Sequence, residues 1–123
     1  MSSVPQLVLS AISHGQVYPP YDGVNDSFHS ANLQGNGYYG YTDGLHTVSY
    51  QLSNFVGRVR FQASLATTPA DSDWFDLDDT VQGDGTVPVT GTFFHNFTGN
   101  FVWCRAYVDL FSAGIISRVL YNT

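Results

Sequence analysis

The chain has 123 residues and a formal net charge of −6, with 11% charged and 43% hydrophobic residues. That length suits one domain with a modest core, and the single cysteine, Cys104, excludes an intrachain disulfide. The acidic balance argues against binding nucleic acid or an anionic membrane surface, both of which call for clustered Lys and Arg, and no apolar run reaches the roughly 20 residues of a membrane span.

There is no lysine and no glutamate, while Gly, Asn, Asp, Ser, Thr and Tyr are abundant. Lys and Glu are the usual fillers of exposed helix positions, so the composition argues for strands and turns. The opening MSSVPQLVLSA lacks a basic n-region and does not read as a secretory signal. Together with the lone cysteine this points to synthesis in a reducing cytoplasm.

The first predicted strand covers 6–12. A long irregular stretch follows over 14–45, rich in Gly and Tyr, with the turn dipeptides Asp22-Gly23, Asn36-Gly37 and Asp43-Gly44. Its tyrosines are the wrong composition for disorder, so it reads as an ordered aromatic loop or arm. From His46 the pattern turns regular. Val48, Tyr50 and Leu52 alternate with Thr47, Ser49 and Gln51. After an interruption at Asn54-Phe55, the residues Val59, Phe61, Ala63 and Leu65 alternate with Arg58, Arg60, Gln62 and Ser64. This is a strand buried on one face and wet on the other. A short strand starts at Trp74-Phe75 and breaks at DDTVQGDG. Another spans 87–94, placed at an edge or strand start by Pro88. The longest strand covers 101–110, Ser112-Ala113-Gly114 turns the chain, and the last strand covers 115–121.

Short strands separated by turns predict an all-β fold, an antiparallel β-sandwich, with a closed β-barrel as the alternative. The motif Asn-Phe-x-Gly occurs twice, in NFVGRVRFQASL and NFTGNFVWCRAYV. The simplest reading is two strand openings of the same local geometry; a duplicated half-domain is the competing one. The strand after the second copy is apolar on both faces, with Val102, Cys104, Ala106, Val108 and Leu110 on one. Phe101, Trp103, Arg105 and Tyr107 form the other, which must be covered by the loop or by another subunit. Trp, Tyr and Arg are enriched in interface hot spots. Phe101, Trp103, Arg105, Tyr107 and the loop residues Tyr38, Tyr39 and Tyr41 are therefore interface candidates.

The acidic run 71–84 supplies oxygens but lacks calcium-loop spacing, so a solvated hairpin is expected and no metal. His14, His29, His46 and His95 are scattered, and Asp43 near His46 has no accompanying nucleophile. No catalytic constellation and no cofactor site emerge, and a non-enzymatic protein is expected. Tyr38, Tyr39, Tyr41 and Asp43 could form a glycan site, since flat rings beside polar groups suit sugars.

Three stretches, GNGYYGYTDGLHTVSYQ, NFVGRVRFQASLATTPADSDWFDL and NFTGNFVWCRAYVDLFSAGIISRVLYN, resemble small virion structural proteins of T4-like and related tailed phages of marine cyanobacteria. The resemblance covers most of the chain. It implies a virion component whose partners are other virion proteins or copies of itself, and leaves a host surface glycan as a further partner. A broader likeness is to discoidin-like or jelly-roll modules, where a QASL-type strand leads through a polar hairpin to a Trp.

Overall fold

The computed structural model describes residues 6–19, 21–35 and 44–122. Among the described residues, seven strands form one open antiparallel sheet: β1 (Gln6–Ser13), β2 (Phe28–His29), β3 (Leu33–Gln34), β4 (Leu45–Ser64), β5 (Phe75–Gln82), β6 (Val89–Thr98) and β7 (Trp103–Asn122). The long strands β4 and β7 pair with each other along most of their length. On the far side of β7 lie β1, then β2 and β3; on the far side of β4 lie β6 and β5. No helix among the described residues is long and apolar enough to cross a membrane.

β4 and β7 both fold over at mid-length, and this turns one sheet into a sandwich. Residues 50 and 61 of a straight strand would stand about 36 Å apart, yet the Tyr50 and Phe61 rings meet at 6.4 Å. Likewise Phe61 stacks on Tyr121 at 5.5 Å. The first leaflet contains β1, the C-terminal half of β7, the N-terminal half of β4, and β6. The second contains β2 and β3, the N-terminal half of β7, the C-terminal half of β4, and β5. The expected sandwich is present, and the sheet does not close into a barrel.

The sequence shows how β4 makes its bend. His46, Val48, Tyr50 and Leu52 are buried, then Phe55, Val59, Phe61 and Ala63. The buried set passes from even to odd numbers around Asn54, whose φ of 49° is left-handed. An extra residue of this kind is a β-bulge: it kinks the strand and resets the alternation, so that both halves keep their apolar side inward. β7 bends opposite this point, with Leu110 at φ 54° and Gly114 at φ 89°.

Two expectations need correcting. Ser112-Ala113-Gly114 does not end a strand; it lies within the continuous β7. The two Asn-Phe-x-Gly copies do not share a local geometry. The first is the bulge inside β4, while the second closes β6, with Asn96 in the strand and exposed. What they share is a buried phenylalanine, Phe55 in one and Phe97 in the other. The 14–45 segment is not wholly irregular either: β2 and β3 attach to the edge of β7 at Val108 and Cys104.

Candidate functional site

The outer face of the second leaflet carries the densest set of polar and aromatic side chains. Antiparallel pairing sets Arg58 opposite Asp109, Arg60 opposite Tyr107, Gln62 opposite Arg105 and Ser64 opposite Trp103. β5 adds Asp76 beside Gln62. Trp74 follows the short 3-10 turn at Asp71–Asp73 that leads into β5.

These groups are linked in one chain of contacts. Arg58 grips Asp109 with two donors, Nε to Oδ1 at 3.0 Å and Nη2 to Oδ2 at 2.7 Å. Arg60 reaches the same carboxylate at 3.3 Å and pairs with Asp76 through Nε at 3.0 Å. The Gln62 amide donates to Asp76 at 2.8 Å, while its oxygen accepts from Arg105 Nε at 2.8 Å. The Arg105 guanidinium lies 4.3 Å from the Trp74 ring centre, and that of Arg60 lies 4.9 Å from the Tyr107 ring centre. Trp103 donates its indole N–H to the Thr67 carbonyl at 2.9 Å.

Among the described residues, this network lies over part of the outer row of β7. Arg105 is only 7% exposed, and the groups over it are Trp74 and Gln62 of its own chain. Burial lowers the Arg105 pKa, opposed by the charge of Asp71, and the guanidinium stays protonated. Three of the four arginines are fixed here, so the face is a rigid plate of paired charges and capped rings. Phe101, expected in the same row, precedes β7. It packs instead at the end of the core, 5.6 Å from His46 and 5.7 Å from Phe75. The loop candidates Tyr38, Tyr39, Tyr41 and Asp43 lie outside the described residues.

The plate has a pH signature. Partial burial alone would raise the Asp109 pKa, but the Arg58 fork and the Arg60 charge outweigh it and hold the carboxyl below its ordinary value of 3.8. Asp76 is likewise lowered, by Gln62 and Arg60 acting against burial. A depressed folded-state pKa contributes stability above the unfolded value and loses it as pH falls through the folded one. Melting temperature is therefore expected to drop below about pH 4. Asp109→Asn should melt lower at pH 7 and show a shallower acid fall. Parallel wild-type and variant curves would contradict this account.

The outer face of the first leaflet is different. One row across it reads Leu7, Leu120, Ser49, Phe94. Phe94 is 69% exposed and Leu7 58%. The neighbouring rows are Asn122, Thr47 and Asn96 on one side and Ser10, Arg118, Gln51 and Thr92 on the other. Thr47 donates to Asn96 at 2.7 Å. Arg118 is the one charge in these three rows. No single strand gives this row away in the sequence; it exists only once the strands are in register.

Two polar groups of the interior are Cys104 and His46. Cys104 is buried, which pushes its thiol pKa up to about 12. His46 is fully buried, stacked on Phe97 at 4.6 Å, with Nε2 2.6 Å from the Gly99 carbonyl and Nδ1 2.7 Å from the Tyr121 hydroxyl. A carbonyl can only accept, so Nε2 donates to Gly99, while the Tyr121 hydroxyl lies between Nδ1 and Cys104 Sγ, the latter at 3.7 Å. A cleft of about 350 Å³ opens between β5 and β6, lined by Asp76, Leu77, Asp78, Asp79, Phe97 and Thr98. Among the described residues, no group of three or more His, Cys, Asp or Glu is placed to hold a metal ion.

Compared with protein-family models, curated proteins and solved structures, the chain has no match.

Proposed function

We propose that this chain is a non-enzymatic structural module of a tailed-phage virion, docking to other virion proteins or to copies of itself through its sheet surfaces. The observation that carries the reading is the outer face of the first leaflet, whose three rows hold no acidic side chain and set the exposed Leu7 and Phe94 in line with the half-buried Leu120. On a chain of net charge −6, acidic residues gather elsewhere, chiefly on β5 and its flanks, and this face is left free of them. A partly apolar surface with Arg118 as its one charge, on a rigid sheet, suits a permanent neighbour. The plate on the second leaflet adds stiffness, because its arginines are bound to the chain's own carboxylates and rings. The resemblance of three long stretches to virion structural proteins of cyanobacterial phages supplies the setting.

The test is mass spectrometry of purified particles. The chain should be found there at a fixed copy number relative to the major capsid protein. Its absence from particles, alongside abundant chain in the lysate of infected cells, would refute the proposal.

A further inference from the structure

The open edges of the sheet are not alike. An unpaired strand edge is a template for another chain, and proteins blunt it with charges, bulges or short strands. β5 does so with Asp76, Asp78 and Asp79. It also has a wide bulge: Leu77 pairs with Phe61 and Gln82 with Val59, leaving the residues between them out of register. β1 has a bulge between Leu7 and Leu9 and a left-handed Ala11 at φ 54°. β2 and β3 are two residues each. β6 uses none of these devices. Its ten residues, VTGTFFHNFT, contain no Asp, Arg or Pro. Among the described residues it pairs with β4 on one side and with no strand on the other.

The β6 sequence is also nearly symmetric about Phe94. In an antiparallel pair of two copies centred there, Phe94 faces its own copy on the outer surface. Thr92 then faces Asn96 and Thr90 faces Thr98, so small polar residues meet small polar residues. On the inner side Phe93 faces His95, and Gly91 faces Phe97, an aromatic lying over a strand glycine. No like charges meet. The acidic part of β5 lies beside Phe97 and Thr98. In the antiparallel arrangement residues 97 of the two copies stand about 20 Å apart along the strands, beyond the screening length at physiological salt. A parallel arrangement would place the two acidic clusters side by side.

We infer that β6 is the self-association edge of this protein: two copies join β6 to β6 in antiparallel register about Phe94, making one sheet that continues through both first leaflets. The partner is a second copy of the chain, and main-chain hydrogen bonds supply the attraction. The apolar row Leu7, Leu120, Ser49, Phe94 then runs on into the same row of the partner. The contact is isologous and uses up the edge, so it closes at a dimer. The inference rests on the assembly reading above, whose partner surface it names.

Sedimentation of the full chain across a concentration series should show a reversible dimer. Phe94→Arg places two like charges on the two-fold axis and should weaken the dimer by about a hundredfold or more. At concentrations low enough that both chains are monomeric its melting temperature should match the wild type's, because the Phe94 side chain is largely exposed within its own chain. Phe94→Cys should oxidise to a covalent dimer, since directly opposed Cβ atoms lie within about 5.5 Å. Thr90→Cys and Thr98→Cys, far from the axis, should not. A wild type that stays monomeric throughout, an undiminished dimer in Phe94→Arg, or equal cross-linking at all three positions would overturn the inference. A monomer that is nevertheless found in particles would sink this inference alone, whereas a dimer absent from particles would sink only the virion assignment.

Discussion

Gly114→Ala is expected to cost about 2–5 kcal/mol, the sum of a left-handed backbone penalty and overpacking against backbone atoms. Gly114 sits at φ 89° where β7 bends, and it packs directly on the bulge of β4. A Cβ there would overlap the carbonyl of Asn54 and come within 2.6 Å of the Phe55 Cα. Neither contact is with a flexible side chain, so nothing can swing away. The two bends nest through this one glycine, and the sandwich depends on both. Against a total stability of about 5–15 kcal/mol, a loss of this size should lower the melting temperature by about 10–20 °C. Gly15→Ala is the control. Gly15 has a similar φ of 84° but nothing within 4 Å of an added Cβ, so it carries the backbone penalty alone, about 1–2 kcal/mol. If thermal melts show the two variants losing equal stability, steric nesting of the bends is not what holds the leaflets together.

Much of this fold was legible because alternation survives the bulge. Val48, Tyr50 and Leu52, then Val59, Phe61, Ala63 and Leu65, announce a half-buried strand on either side of Asn54, and all are buried except Leu65, which lies just past the end of β4 and is exposed. What the alternation could not say is that they belong to one strand. A break in phase looks the same whether the chain turns away or merely inserts a residue, and only pairing with β7 across the gap distinguishes the two. The same ambiguity made Ser112-Ala113-Gly114 look like a turn. The outer row of β7 was also read from its own strand alone. From that strand alone, Trp103 and Tyr107 call for a cover from the aromatic loop or a partner. Among the described residues Arg60 lies over the Tyr107 ring, and Gln62 and Trp74 hold Arg105, because guanidinium groups lie flat on rings and satisfy carboxylates at their edges. Contacts of that kind depend on non-local register. So does the row of Leu7, Leu120 and Phe94, whose members lie far apart in the sequence.

Thr80→Val is expected to destabilise the protein by about 2–4 kcal/mol although it changes the side-chain volume very little, because two buried backbone groups lose their partners. Thr80 is fully buried within the β5 bulge. Its hydroxyl accepts the Phe61 N–H at 2.8 Å and donates to the Leu77 carbonyl at 2.6 Å. The bulge takes β5 out of register there, and the threonine hydroxyl stands in for the missing ladder bond. Its backbone carbonyl accepts the Tyr50 hydroxyl at 2.8 Å, joining the first leaflet to the second. Burial of that phenol raises its pKa far above 10, so the bond keeps its proton at any ordinary alkaline pH. Valine retains the packing and removes only the hydroxyl, which makes the substitution a measure of hydrogen bonding rather than of cavity formation. Thr80→Ser keeps the hydroxyl and loses one methyl, and should cost only about 1 kcal/mol. Urea denaturation of both variants decides the matter. A serine variant less stable than the valine variant would mean that the bulge is held by packing, and that the Phe61 N–H finds another acceptor when the hydroxyl is gone.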